Sequence, residues 1–477
     1  MDCWSSSPLA DDEFEKLAIR VNPPRCNFFL SYVFYFLPAS PFCPYGSSFG
    51  VFRVIVDNTS CSSETLIKVD SANKLGSLLE VVQVLSDMDL VIRRAYISSD
   101  GEWFMDVFHV VNRHGQKLTE GGVADRIQQS LGPQGRSFRT LRQSVDVQTA
   151  AESTAIELAG RDRPGLLSEV FAVLTNLDCN VVAAEVWTHN SRMASVVYIT
   201  DVSTRLPVDD PERLGNIKQL LLYVLMGNRD HKTAKAAVSV GSSHKDRRLH
   251  QMMYAHRDYD VHDEDSAPAN ERNKPVVTAE NCVDKGYTVV NLRCLDRPKL
   301  LFDAVFTLTD MQYVVYHATV VVEGAKAYQE FYVRHVDGSP MSSEAEMQRV
   351  KNCMEAAIRR RTSEGIRLEL CGEDRVGLLS DVTRIFRENG LSVNQAKVMT
   401  RGSKAMNVFY VSDAFGSAVR SETIEAVRQE IGSTVLNVRE DEAAPPAQGE
   451  GKFSLSRMFR SRSEKLLCNL GLIKSCT

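Results

Sequence analysis

The sequence predicts an α+β fold in which one β-α-β-β-α-β unit is built four times, with its antiparallel sheets paired side by side. Three observations carry this. Four stretches of the chain repeat one another; each runs from an alternating apolar pattern through a short polar turn into a helical pattern; and 477 residues are too many for a single hydrophobic core.

The repeats begin at Leu66, Thr154, Tyr287 and Ile366. In the second, Ile156 and Leu158 alternate with Glu157, the period of a half-buried strand. An Asp-Arg turn follows. Leu166, Leu167, Val170, Phe171 and Leu174 then recur at helical spacing, opposite polar Ser168, Glu169 and Thr175. The fourth copy repeats this with Leu378, Leu379, Val382, Ile385 and Phe386. Val181–Thr188 and Met193–Thr200 flank His189-Asn190-Ser191, a hairpin signal. Second helices are expected at Pro211–Met226, Ser342–Arg361 and Ser421–Ile431, and closing strands at Lys235–Val240 and Thr434–Val438. The resulting order is the ferredoxin-like one. Such a sheet leaves edges to be covered, and copies that pair side by side cover them internally.

Composition narrows the function. Hydrophobic residues make up 43% and charged residues 25%, and the net charge of −5 argues against nucleic acid as a partner. Eleven cysteines without a C-x-x-C pair read as buried thiols in a reducing compartment; Cys179, Cys294 and Cys371 lie in apolar runs. No G-x-x-x-x-G-K-[ST], G-x-S-x-G or H-E-x-x-H occurs, so no catalytic residue, metal site or cofactor is expected.

The turn Asp162-Arg163-Pro164-Gly165-Leu166 joins the first strand of copy two to its helix. Pro164 suits the first helical position, and Gly165 leaves the helix N-terminus open to a carboxylate. Asp162 is placed to cap the helix or to meet an ammonium group. Together they suit a small zwitterion, although Pro-Gly also serves as plain helix punctuation. The fourth copy has Asp374-Arg375-Val376-Gly377 before Leu378, the first Asn73-Lys74-Leu75-Gly76, and the third Asp296-Arg297-Pro298-Lys299. Lys299 should crowd its helix start, which makes the third copy a structural partner.

These turns resemble the ACT domain, the amino-acid-sensing module of metabolic regulators. The four-fold arrangement, with the Asn22-Pro23-Pro24-Arg25 tail, the Arg247–Met253 linker and the Asn469–Ile473 terminus, resembles the plant ACT domain repeat family. The resemblance implies amino-acid binding where the turn of one module meets a strand of a paired one, with Asp162, Pro164, Gly165, Leu166, Asn180, Asp374, Gly377, Leu378 and Gly76 as contacts. Asn180 matches a contact early in the second strand; Ser392 stands there in the fourth copy. Gly165→Asp is expected to abolish binding while sparing the fold.

The domain reading is a polar tail at 1–25, an apolar Cys- and Pro-rich insert at 26–53, modules at 64–147, 153–240, 287–364 and 366–440, a charged His-rich linker at 241–285 and a basic tail at 441–477. The resemblance implies that the Asn22–Arg25 tail runs almost directly into a strand at Val54–Asn58; the insert intervenes and reads as a translated intron or gene-model artefact, and its apolar run is too short to span a membrane. His244, His250, His256 and His262 share no helical face, so the linker reads as mobile and metal-free. The basic tail offers weak contact to an anionic membrane, with Ser461 and Ser463 as phosphorylation sites.

The expected function is a non-catalytic regulator in cytoplasm or nucleus, not secreted. It binds a free amino acid at module interfaces, signals to a protein partner and self-associates through its sheets. Rival readings are an interaction scaffold with lapsed sites and a relative of uridylyltransferase sensor enzymes.

Overall fold

A computed structural model describes residues 53–72, 76–99, 103–118, 152–227, 233–239, 244–260, 274–282, 285–361, 365–415, 418–432 and 436–439. The N-terminal tail, the insert before Arg53, His262 and the basic tail lie outside the described residues.

The described residues fall into two compact units. The first contains β1 (Arg53–Asp57), β2 (Thr65–Ala72), α1 (Ser77–Asp87), β3 (Val91–Ser99) and β4 (Trp103–Val111), together with Val314–Arg334 from the hairpin of β11 (Tyr313–Glu323) and β12 (Lys326–His335). Its antiparallel strands run β1-β2-β4-β3-β11-β12. The join is β3 against β11, with Ala95 opposite Val320 and Ile97 opposite Ala318. The first module therefore pairs with the third.

The second unit contains module two, built from β5 (Thr154–Arg161), α2 (Leu166–Asn176), β6 (Cys179–His189), β7 (Arg192–Asp201), α3 (Pro211–Met226) and β8 (Lys235–Ser239). Module four has β13 (Ile366–Glu373), α7 (Leu378–Glu388), β14 (Leu391–Arg401), β15 (Lys404–Asp413), α8 (Ser421–Ile431) and β16 (Leu436–Arg439). Their eight strands make one antiparallel sheet, β16-β13-β15-β14-β6-β7-β5-β8. The join puts Val186 opposite Ala396 and Ala184 opposite Val398. On one face, Phe171 and Leu174 of α2 share a single core with Phe386 and Val382 of α7, and with Leu158, Val197, Leu370 and Phe409 from the strands. Removing that apolar surface from water is the main stabilising term.

Local structure follows the residues. Asn190 and Ser191 both take positive φ, as the tight turn between β6 and β7 requires. A β-bulge falls at the same repeat position in three copies: Ile92/Arg94, Val181/Ala183 and Val393/Gln395.

Three expectations need correction. Module three is not β-α-β-β-α-β: its outer strand is β9 (Val276–Cys282), which precedes β10 (Tyr287–Leu295) and pairs antiparallel with it. After α6 (Glu344–Arg359) too few residues remain before Ile366 for a closing strand. β1 takes the same edge place beside β2 in module one.

The second correction concerns the linker, which holds helix α4 (Lys245–Ala255) as well as β9. Leu249, Met252 and Met253 of α4 are buried with Trp187, Ala194 and Val196, on the sheet face opposite α2. The third correction is Cys371, which is exposed on β13, whereas Cys179 and Cys294 are buried. No described helix is long and apolar enough to cross a membrane.

Candidate functional site

The turn after β5 ends in Gly165, whose φ of 82° lies in the left-handed region that glycine adopts at no steric cost. Gly165 is the N-cap of α2, so Pro164 sits one position before the cap and two before the first helical residue, Leu166. Asp162 does not cap either, since no side chain bonds the helix start. The Leu166 N–H donates to the Arg163 carbonyl at 3.1 Å. The next two N–H groups, of Leu167 and Ser168, donate to no carbonyl among the described residues, as expected of a first helical turn.

Those amides face a narrow crevice. It is lined from module two by Asp162, Arg163, Gly165, Leu166, Leu167, Ser168, Val186, Thr188 and Met193, and from module four by Thr383, Leu391, Ser392 and Val393. The partner module's strand contributes Leu391, Ser392 and Val393 of β14, of which Ser392 is the polar one. Asn180, expected as a contact early in the second strand, does not line this crevice; it lies half-buried on β6 opposite Thr200, and Ser392, which holds the equivalent position in the fourth copy, lines it instead.

Ser168, expected on the polar face, is 4% exposed and makes no hydrogen bond with a described residue. Burial pushes the Asp162 carboxyl up to about 7, against the lowering pull of the Arg163 backbone N–H and guanidinium. Its counterpart Asp374 is tied differently, accepting a bond from Thr400 Oγ1 at 3.1 Å. In module two Thr188 Oγ1 instead donates to the Asn394 carbonyl at 2.8 Å.

Each Asp-Arg turn carries a clamp. Arg163 Nη1 donates to Glu169 Oε1 at 2.8 Å. Arg297 meets Asp303 at 2.8 Å and Arg375 meets Asp381 at 2.5 Å. The arginine is always six residues before the acid, a spacing legible in the sequence although the clamp was not foreseen. The turn arginine thus fastens the loop to its own helix.

Gly377 caps α7 with φ 80°, next to a half-buried Leu378. Gly76 has φ 87°, and a Cβ there would meet nothing within 4 Å. The turn glycines are therefore backbone requirements first. At Gly165 a Cβ would also lie 2.6 Å from Cδ of Arg387. Gly165→Asp would strain the turn, so it does not spare the local fold as expected.

Module three answers the same geometry differently. Lys299 caps α5 (Leu300–Asp310) in the left-handed region at φ 63°, and its ammonium pairs with buried Asp246 of α4 at 2.6 Å. Rather than crowding its helix, Lys299 reaches away into a buried ionic cluster. Arg361 meets Asp246 at 3.3 Å and Asp303 at 3.0 Å, and lies 4.5 Å from the Trp187 ring centre. Lys245 meets Glu185 at 2.9 Å, and Arg360 holds Asp258. Burial would raise the Asp303 carboxyl, but Arg361 and Arg297 hold it well below the usual range. His250 sits between Asp303 at 2.8 Å and Arg360 at 3.0 Å. Burial lowers it to about 4, so it is neutral at pH 7. Its Nε2–H then donates to Asp303 while Nδ1 accepts from Arg360.

Comparison with known proteins bears on this architecture. Residues 60–137 match the ACR family N-terminal ACT domain, and residues 154–220 and 366–432 each match the ACT domain. The ACT domain-containing protein ACR4 of Arabidopsis thaliana is 51% identical over 480 residues, covering 99% of each chain. The chain belongs to the ACR family of ACT domain-containing proteins. ACR5 of the same plant is 50% identical over 487 residues, again covering 99% of both chains. A bifunctional uridylyltransferase/uridylyl-removing enzyme of Bradyrhizobium diazoefficiens is 27% identical, over 30% of this chain and 17% of that one. In ACR terms, the second and fourth ACT domains build the crevice between them. The third carries an ACT-like turn filled from within by Asp246.

Proposed function

We propose that this ACR protein is a non-catalytic sensor that binds a free amino acid in the crevice of the Gly165 turn and relays that binding to a protein partner. The observation that carries this is the crevice itself, where two unused helix amides and a poised Asp162 face Ser392 of another module. The α-carboxylate would take the Leu167 and Ser168 N–H groups at the positive end of α2. The ammonium would meet Asp162. Because the walls come from two modules, a ligand favours the state in which they are closed on one another, which is the condition for regulation. Cytoplasm or nucleus and self-association through exposed sheet edges belong to the same proposal; nucleic acid does not.

Isothermal titration of the full chain with the twenty amino acids tests it. Saturable heat from one or a few is expected, and it should be lost in Asp162→Asn. No heat from any would refute the sensor. A second reading, an interaction scaffold, draws on the self-filled Lys299 turn. It predicts partner binding that no amino acid alters.

A further inference from the structure

The pairing of modules two and four brings each turn against the far end of the other module's helix. Gly165 and Gly377 are separated by the same 212 positions as Thr175 and Arg387, so the two contacts are equivalents by repeat. They are chemically unequal. The Arg387 stem lies across Gly165, with Cδ 2.6 Å from where a Cβ would stand; at Gly377 the corresponding neighbour is the Thr175 methyl, at 3.5 Å. One turn has an arginine stem across it, the other a threonine methyl.

The Arg387 guanidinium is weakly engaged. Its nearest carboxylate is its sequence neighbour Glu388, at 4.0 Å, and both side chains are more than a third exposed. Arg387 also acts on Glu169, though Glu169 is already paired with Arg163. Below it, the crevice holds the nearly buried, unbonded hydroxyl of Ser168. The buried Ser195 hydroxyl, on the strand position opposite Val186, likewise has no partner. Ser168 lines the crevice and Ser195 lies on the strand beside Val186, so a polar occupant would meet the Ser168 hydroxyl first.

We propose that the Gly165 turn selects an amino acid whose side chain ends in a carboxylate, taken by Arg387, and that the Gly377 turn does not. This rests on the reading of the Gly165 turn as the amino-acid site. The Leu167 and Ser168 amides with the Ser168 hydroxyl take the α-carboxylate, Asp162 the ammonium and Arg387 the second carboxylate. A neutral amide of the same shape loses the charge-assisted bond to Arg387.

The test is equilibrium binding of aspartate, glutamate, asparagine and glutamine to the full chain and to Arg387→Thr, Thr175→Arg and the double exchange. The preferred acid should bind at least about tenfold tighter than its amide. Arg387→Thr should abolish that ratio while leaving the affinity for the amide unchanged, and Thr175→Arg should add acid-selective binding at the Gly377 turn. Arg387 is exposed, so its loss leaves the melting temperature in place. Amides binding as tightly as acids, or Arg387→Thr weakening both alike, would overturn selection by Arg387 while leaving the amino-acid site standing. Failure of all amino acids to bind would overturn both.

Discussion

The second and third modules use one turn for opposite ends. Both place an N-cap residue in the left-handed region, and both clamp the turn arginine to an acid on the first helical turn. At Gly165 the space above the helix start stays open as a crevice. At Lys299 a helix from the intervening segment supplies Asp246, and the turn becomes the centre of a buried ionic cluster. A left-handed lysine costs roughly 1–2 kcal/mol more than glycine there, and the Asp246 contact offsets it. The same backbone thus leaves a crevice open in one module and makes a fastening in the other, and the side chain at the cap position differs between them.

The largest effect should come from breaking the fastening. Asp246→Ala leaves Lys299 and Arg361 as buried cations without a shared anion, and denaturant unfolding should show a loss of about 3–5 kcal/mol. The same change should leave the Gly165 crevice chemically intact; equal loss of amino-acid binding per unit of stability would blur the distinction between the two turns. Next is Leu249→Ala, which empties a fully buried position between α4 and the sheet. It should cost about 3 kcal/mol, and a near-zero change would mean that α4 is not docked as described.

The two turns should also respond to pH with opposite sign. His250 is lowered to about 4 in the folded state from an ordinary 6.5, so the unfolded chain binds the extra proton first. Its contribution is present above pH 6.5 and is lost as pH falls toward 4, on the order of 2–3 kcal/mol. His250→Gln should flatten that part of the stability profile. Asp162 is raised to about 7 from 3.8, so here the folded chain holds the proton more tightly. Its contribution is full below pH 4 and disappears as pH rises to 7. Asp162→Asn should therefore gain up to about 4 kcal/mol over wild type at pH 8 and remove the slope between. An ammonium bound beside Asp162 would lower its pKa. Titrations near pH 7 should then release protons, seen as heat that changes with buffer ionisation enthalpy.

Much of this was legible in the residues. The helices of module two follow from the spacing of Leu166, Val170, Phe171 and Leu174, and Pro211–Met226 forms a helix over its expected span. The ferredoxin-like pairing followed from the repeat. What the residues hid was long-range. Ser168 reads as surface by helical period, yet it is buried in a crevice that Thr383, Leu391 and Val393 of module four help to line. Ser392 lines the crevice of the Gly165 turn, and Asn180 does not, because strands pair between copies. Lys245–Ala255 reads as linker because charged residues dominate it; its charges are satisfied by Glu185, Glu157 and Lys299 on neighbouring elements. Charge density signals solvent only when no counter-charge lies elsewhere in the chain.

The interleaving of modules has a consequence for synthesis. Trp187 pairs with Gln395, and Ala95 with Val320, so each module waits for a partner encoded two modules later. At ribosomal speed, the edge of β6 would stay uncovered for roughly 10–40 s. During that interval it presents open backbone donors and acceptors to any neighbouring nascent chain. The protein's most vulnerable moment thus comes while half of it is still unmade, and a chain stopped after its second module should be a substrate for chaperones rather than a smaller sensor.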